Sequence, residues 1–248
     1  MIPLAIPSKN RFNSSFTTIN ALNYNYSDCY IFVNDSTEEI LYKKYFNTLG
    51  TNPNIIVTNT SGISSARNYI LKYFDGDNIL MCDDDITGLY RLNKSSSKNL
   101  IPLSSEEIFD LIGKGFSLLK KNKTKLWGVY PIRNSFFMSD FIVSAGFVIG
   151  TFCGVICDYK NIKYDTSMKL KEDYDFTLQH IMKYKKIIRF NNICVDAKHY
   201  SNSGGCQDYR NLKEENNSCE ILLNRYPQFV KLNPSRPGEI LLRFKYEN

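Results

Sequence analysis

Asn78-Ile79-Leu80-Met81-Cys82-Asp83-Asp84-Asp85 runs an apolar, strand-length stretch directly into three consecutive carboxylates. Like charges a few ångströms apart raise one another's pKa unless a cation neutralises them. A divalent metal is the simplest such cation, and oxygen-only ligands suit Mg²⁺ or Mn²⁺, which keep positions open for substrate phosphates. The plainer alternative is that Asp83 to Asp85 cap a following helix or face water. A buried strand that ends in Asp-x-Asp and then an exposed loop favours the metal.

Working outward, the same rhythm recurs on the N-terminal side. Leu4 to Pro7 reads as a short strand ending in the polar cluster Ser8-Lys9-Asn10-Arg11. Cys29 to Val33 is a second strand, followed by Asn34-Asp35 and by Ser36-Thr37-Glu38-Glu39, which has the form of a capping box opening a helix. Asn54 to Val57 precedes the turn Asn59 to Gly62, after which Ile63, Ala66, Ile70, Leu71 and Phe74 mark one helix face. Strands alternating with helices predict a largely parallel α/β sheet with ligands at the carboxyl ends of its strands. Each polar cluster falls at such an end.

Towards the C-terminus, Ser104 and Glu107 form a second capping box ahead of Ile108, Leu111, Ile112, Phe116 and Leu119 at helical spacing. The basic run Lys120 to Lys125 is either a solvated helix end, favoured by the helix dipole, or a binding patch. Leu126 to Cys157 has more strand character. Its uncharged part, Phe141 to Cys157, is 17 residues with three glycines, short for a membrane span, and reads as two buried strands around a glycine turn. A helix begins near Lys171, a strand covers Ile188 to Val195, and a loop, Ser201 to Gly205, leads to a helix near Asp208 to Asn224 and a basic tail.

Composition narrows the class. With 248 residues, 43% hydrophobic and 23% charged, the chain is globular and long enough to bury a core without disulfides. Lys+Arg 31 against Asp+Glu 25 gives +6, which suits acidic partners without the density of a purely electrostatic nucleic-acid binder. Seven cysteines, odd in number and with no Cys-x-x-Cys pair, argue against a disulfide framework or zinc module and for a reducing, cytoplasmic setting. No basic region precedes the first apolar run, so no signal peptide is expected, and with Phe141 to Cys157 read as strands no membrane partner is expected either.

Other residue types suggest chemistry. In Gly62-x-x-x-x-Arg67-Asn68 a guanidinium and an amide can reach phosphate or ribose oxygens, or Arg67 can be a surface salt bridge. Glu172-Asp173 opens a helix whose dipole would keep the acids ionised, so one could serve as a general base; ordinary first-turn acidity is the alternative. His199, just ahead of the glycine-containing loop, is either a third metal ligand or a half-buried imidazole. His180 reads as structural.

Taken together, Ile6-Pro7-Ser8-x-x-Arg11, Ile31-Phe32-Val33, Gly62-Ile63-Ser64-Ser65-Ala66-Arg67-Asn68, Asp83-Asp84-Asp85 and Glu172-Asp173-Tyr174-Asp175-Phe176 resemble the inverting GT-A glycosyltransferases. The chain looks most like the TET-associated glycosyltransferases, largely phage and virus-type enzymes related to the glucosyltransferase that completes base J. The resemblance implies one GT-A domain over residues 1–248, a Rossmann-like mixed sheet flanked by helices. Residues 1–90 would form the nucleotide-sugar half and 91–248 the acceptor half. It further implies Mn²⁺ or Mg²⁺ at Asp83 and Asp85, with His199 as a possible third ligand and Asp84 on the ribose or sugar. Pro7, Ser8, Arg11 and Asn34 would line the nucleoside pocket, and Arg67 and Asn68 the ribose-diphosphate region. Asp173, or alternatively Asp175, would be the catalytic base.

The acceptor implied is a hydroxymethylated pyrimidine in DNA, in the host cytoplasm if the protein is viral, with a nucleoside-diphosphate sugar such as UDP-glucose as donor. Basic and aromatic residues, among them Lys125, Arg133 and Arg236, would contact that DNA on the face presenting the strand ends. Two competing functions are a glycosyltransferase for a glycan or virion protein, and a catalytically silent nucleic-acid-binding module.

Overall fold

The computed structural model describes residues 1–93, 95–198 and 211–244. Its first strands are β1 (Leu4–Pro7), β2 (Cys29–Val33), β3 (Asn54–Val57) and β4 (Asn78–Cys82). They pair in parallel in the order β3-β2-β1-β4, with Leu4 beside both Cys29 and Leu80. Successive strand residues point to opposite faces. Leu4, Ile6, Ile31, Val33, Leu80 and Cys82 therefore enter one core, while Ala5, Phe32, Ile79 and Met81 enter the other. A sheet buried on both faces explains why these strands read as unbroken apolar runs.

Between them lie α1 (Thr18–Ala21), α2 (Ser36–Thr48) and α3 (Ile63–Tyr73). The start of α2 differs from the capping box expected at Ser36. Asp35 is the cap, accepting the Thr37 and Glu38 N–H groups at 2.9 and 3.0 Å. Glu38 is thereby free to turn back and accept the Asn10 and Asn34 N–H groups, both at 2.8 Å. This buried carboxylate ties the loop after β1 to the end of β2.

The remaining strands are β5 (Ile86–Asn93), β6 (Ser96–Pro102), β7 (Leu126–Tyr130), β8 (Ile142–Val143), β9 (Phe152–Ile156) and β10 (Ile188–Ala197). The ten-stranded sheet continues as β4-β9-β7-β10-β5-β6, with β8 on β10. Here the largely parallel expectation gives way. β9 is antiparallel to β4 and β7, and β5 is antiparallel to β10 and β6. A parallel neighbour requires a long crossover, and no helix separates β4, β5 and β6.

The stretch 141–157 does hold two strands, but they do not pair with each other, and Ile142 at the start of β8 is exposed. Among the described residues no helix is long and apolar enough to cross a membrane.

Helices α4 (Ser105–Asn122), α5 (Glu172–Tyr184) and α6 (Leu212–Arg225) and a ribbon of β11 (Val230–Leu232) and β12 (Ile240–Leu242) complete the chain. The Ser104–Glu107 capping box is present as expected. Trp127 on β7 is fully buried, edge-on to Phe116, Phe152 and Phe190. Gly115 on α4 and Gly154 on β9 leave no room for a Cβ against its indole. Register then defines the two ends of the sheet: Gly128 is level with Cys153 and so with Met81, which puts the end of β7 beside the aspartates and its beginning at the opposite end.

Candidate active site

The three aspartates leave β4 in a turn fastened from behind by the excursion between β1 and β2. Thr18 Oγ1 donates to the Asp83 carbonyl at 2.6 Å and accepts the Ile86 N–H at 3.0 Å, while Thr17 N–H donates to the Asp84 carbonyl at 2.9 Å. Lys198 at the end of β10 gives its N–H to the Asp85 carbonyl at 3.2 Å. Fixing the backbone on both sides leaves the carboxylates as the variable part of the turn.

Each carboxylate has a different environment. Asp83 has 27% of its side chain exposed, bonded to Arg67 at 2.9 Å and to Thr151 Oγ1 at 3.0 Å. Asp84 faces inward, where it accepts from Ser8 Oγ and lies 3.4 Å from Arg11, so the expected direct contact with ribose or sugar becomes a supporting role behind those residues. Burial pushes its carboxyl up to about 7 against the opposing pull of Arg11 and Ser8. Asp85 is 3.3 Å from Arg11 through Oδ2, whereas its Oδ1 is buried with no partner.

Two arginines thus supply much of the counter-charge that the sequence alone assigned to a metal. Arg11 is held by Tyr42, whose hydroxyl accepts the Arg11 N–H at 2.9 Å and lies 2.6 Å from Ser8 Oγ. Arg67, only 3% exposed, points one Nη at Asp83 and the other at Glu172, 2.8 Å away. Burial by itself opposes its charge, but Asp83, Tyr164 and Glu172 outweigh that and hold it well above the ordinary arginine value. Gly150 admits the guanidinium, since a Cβ there would lie 2.6 Å from Nη1.

Arg67 is therefore neither a surface salt bridge nor an open diphosphate contact. It joins the aspartate turn to α5. Asn68 is withdrawn too: its amide clamps the Tyr164 backbone, accepting the N–H and donating to the carbonyl, both at 2.8 Å.

At the start of α5 the two candidate bases separate. Asp173 is half-buried and accepts the Gly150 N–H at 3.3 Å and its own helix's Tyr174 N–H at 3.0 Å. Burial, then the Glu172 carboxylate, raise its pKa above the usual carboxylate range, with Arg67 and those N–H groups acting the other way. The expectation that the helix dipole simply keeps these acids ionised is corrected on this point: desolvation outweighs it at Asp173.

Asp175 has no exposed surface and is satisfied by Gln179 at 2.6 Å, Tyr226 at 2.9 Å and Arg225 at 3.2 Å. It anchors α6, which removes it as an alternative base. His180 is buried, its Nδ1 2.8 Å from the Phe176 carbonyl, and burial lowers its pKa to about 4, in keeping with a structural role.

Pro7 ends β1 and Ser8 follows it, reaching Asp84, while Asn34 follows β2 at the same end of the sheet, one strand further from the aspartate turn. His199 and the loop from 201 lie outside the described residues. Among the described residues no group of three or more His, Cys, Asp or Glu side chains converges as a metal site. The residues missed from sequence are Thr17, Thr18, Glu38, Gly150 and Thr151, and only the Gly-Thr pair ahead of an apolar strand offered any signal.

The three acceptor-side cations are not brought together. Lys125 precedes β7 at the end of the sheet away from the aspartates and pairs with Asp158 at 3.0 Å, which corrects its placement on the face presenting the strand ends. Arg133 does lie at the aspartate end, 2.7 Å from Asp196 and stacked on Tyr90 with 3.8 Å to the ring centroid. Arg236 pairs with Glu239 beside the β11–β12 ribbon.

A sheet of this order with an acidic turn at its centre is the GT-A glycosyltransferase fold. Similar solved structures include S. aureus TarS 1-349, at 12% identity and TM-score 0.53 over 90% of this chain and 65% of that one. The chain thus spans slightly less than two thirds of that solved chain's length. Glucosyl-3-phosphoglycerate synthase from Mycobacterium tuberculosis, in complex with Mn²⁺, UDP-glucose and phosphoglyceric acid, is also similar, at 12% identity and TM-score 0.56 over 94% and 83% of the two chains. Comparison with curated proteins yields no match. The profile of the TET-associated glycosyltransferases matches residues 2–205, and the chain belongs to that family of enzymes.

Proposed function

We propose that the protein moves a sugar from a nucleoside-diphosphate sugar to the hydroxyl of a hydroxymethylated pyrimidine in DNA, inverting the anomeric carbon, with Mn²⁺ or Mg²⁺ at Asp83 and Asp85. One observation carries the transfer chemistry: the dipeptide Gly150-Thr151 hydrogen-bonds Asp173 through one residue and Asp83 through the next. A donor-side carboxylate and a candidate base are thereby held on the two sides of one short loop. Family membership and the charge of +6 support the acceptor.

The donor set fits a divalent ion. It is all oxygen, Asp83 is accessible, and Asp85 keeps a buried acceptor with no partner. A metal bound there supplies Lewis-acid stabilisation of the diphosphate leaving group. Pro7, Ser8, Arg11 and Asn34 line the nucleoside side. Asp173 takes the proton of the acceptor hydroxyl as its oxygen bonds the anomeric carbon and the bond to the diphosphate breaks on the opposite face. A raised pKa suits this task, because a stronger base accepts the proton more readily.

The test is incubation with a panel of nucleotide sugars and Mn²⁺ or Mg²⁺, using DNA that carries 5-hydroxymethylpyrimidine, read by nucleoside mass spectrometry. A hexosylated nucleoside from one donor is the expected result. Donor hydrolysis with unmodified DNA would shift the acceptor to a glycan or protein.

A further inference from the structure

Among the described residues the exposed phenylalanines are Phe136, Phe137 and Phe141, at 82%, 60% and 70%. Ile132, 57% exposed, lies on the same short segment after β7, and Ile142, 40% exposed, opens β8 at its end. Such a concentration of bare apolar surface marks an interaction site. Phe136 and Phe137 stand edge to face, with centroids 5.0 Å apart at 90°. The segment is well fixed: Asn134 caps the turn at Ser135–Phe137 through the Phe136 N–H at 3.0 Å, and Asn191 binds the Ser139 and Phe141 backbone at 3.2 and 3.0 Å.

Its position follows from register. β7 ends at the aspartate end of the sheet, and Arg133, three residues before Phe136, reaches Asp196. The next residue, Ala197, pairs with Ile86, directly after Asp85. The aromatic segment therefore starts at the aspartate end of the sheet and runs from there toward the edge strand β6, against which the Ser135–Phe137 turn packs. Arg133, paired with Asp196, is a planar cation stacked on the Tyr90 ring, and the exposed aromatic faces beside it suit a partner that presents flat apolar groups, as the nucleobases of the proposed DNA acceptor do.

Resting on the DNA acceptor reading above, we infer that Phe136, Phe137 and Phe141 form a stacking platform for nucleobases exposed when the target pyrimidine leaves the duplex. A 5-hydroxymethyl group projects into the major groove, but Asp173 is half-buried beside Gly150, so presenting the hydroxyl to it calls for the base to be extruded, at a cost of a few kcal/mol. Aromatic faces that replace the lost stacking, or a wedge that fills the gap, offset that cost.

The experiment uses a duplex with one 5-hydroxymethylpyrimidine flanked by 2-aminopurine, whose fluorescence rises when it unstacks, titrated with the full chain. The doubly substituted F136A/F137A protein should bind this duplex about tenfold more weakly, as expected for lost base stacking. It should also lose the fluorescence rise, and Phe141→Ala should show a smaller loss. Tryptophan at 136 and 137 should preserve both signals, whereas leucine should not.

Leucine variants that bind and unstack the duplex like the unsubstituted protein would overturn the inference, since an apolar surface for a second copy or a membrane would accept them. So would a shift from dimer to monomer on sedimentation of F136A/F137A. If the unsubstituted protein modifies DNA but the alanine variants match it in binding, this inference alone fails. If it leaves hydroxymethylated DNA unmodified with every donor, the acceptor reading fails and takes the platform with it.

Discussion

Asp173 and Asp175 are two residues apart on α5 and occupy opposite kinds of site. Two residues turn a helix by about 200°, so one carboxylate reaches Gly150 beside the aspartate turn while the other enters the interior against α6. Asp175 is charge-paired and hydrogen-bonded by Gln179, Arg225 and Tyr226. Across the cleft, Asp85 keeps an oxygen with no partner, and Asp83 stays open to solvent. Both regions pair acids with arginines. Only the one with an unused acceptor and an accessible carboxylate has capacity left for a ligand.

Exchanging the two helix acids for their amides should give the largest contrast. Asp173→Asn is expected to lower kcat about 10²- to 10⁴-fold, the usual worth of a general base, with donor affinity retained. Asp175→Asn should leave kcat near normal and instead lower stability by about 1–3 kcal/mol, because a buried hydrogen-bonded site loses its charge complement. Thermal unfolding alongside steady-state kinetics separates them. A loss of turnover in Asp175→Asn at unchanged Tm would break the comparison. In the unsubstituted enzyme kcat/KM should rise with pH through a value above the ordinary carboxylate range, since Asp173 acts only when deprotonated.

Next in size is the metal. Calorimetric titration of the nucleoside diphosphate should show binding that strengthens at least about tenfold with Mn²⁺ or Mg²⁺, and that falls back to the metal-free level with chelator or in Asp85→Asn. Equal binding with and without metal would mean that Arg11 and Arg67 are the sole counter-charges of the turn.

Asp84 sharpens the comparison from a third position, buried yet partnered. Its folded pKa, about 7, lies above the unfolded value, so the native chain holds a proton that the unfolded chain releases. Metal-free stability should therefore fall as pH rises from about 4 to 7. Asp84→Asn, which has no such proton, should make that slope shallower in denaturant titrations, leaving the share that the raised Asp173 carboxyl contributes. A slope unchanged by the substitution would assign the pH dependence to another group.

The smallest effect separates the two ends of the sheet. Arg133→Glu should reduce the slope of log K against log salt for duplex binding by roughly 0.9, the value for one lost phosphate contact. Lys125→Glu should leave the slope unchanged, because it lies at the end of the sheet away from the aspartates. Equal effects at both positions would mean that DNA also reaches the distant end.

Local chemistry made much of this legible. The four strands and two longer helices in residues 4–82, the acidic turn, the Ser104 capping box and the start of α5 all follow from short-range patterns of apolar runs, cap residues and turn residues, whereas the short helix α1 does not. The mixed half of the sheet was less so, since β5 mixes polar and apolar residues and β6 opens on four polar ones, neither giving the unbroken apolar run that marks β1 to β4. The α2 cap shifted to Asp35 because Glu38 had a second use, binding Asn10 from 28 residues away.

By itself the sequence determined that carboxylates stand at the end of a buried strand, that arginines and a second acidic pair are available, and that the fold and family are those of a glycosyltransferase. Tertiary structure alone decided which charges meet. Arg67 joins Asp83 to Glu172, Asn68 and Asp175 are occupied elsewhere, Lys125 lies at the end away from the aspartates, and Gly150-Thr151 bridges Asp83 and Asp173. The reason is physical: helix and strand periodicity are written within a few residues, whereas the partner of a charge depends on segments some 70 to 100 positions apart packing into one volume.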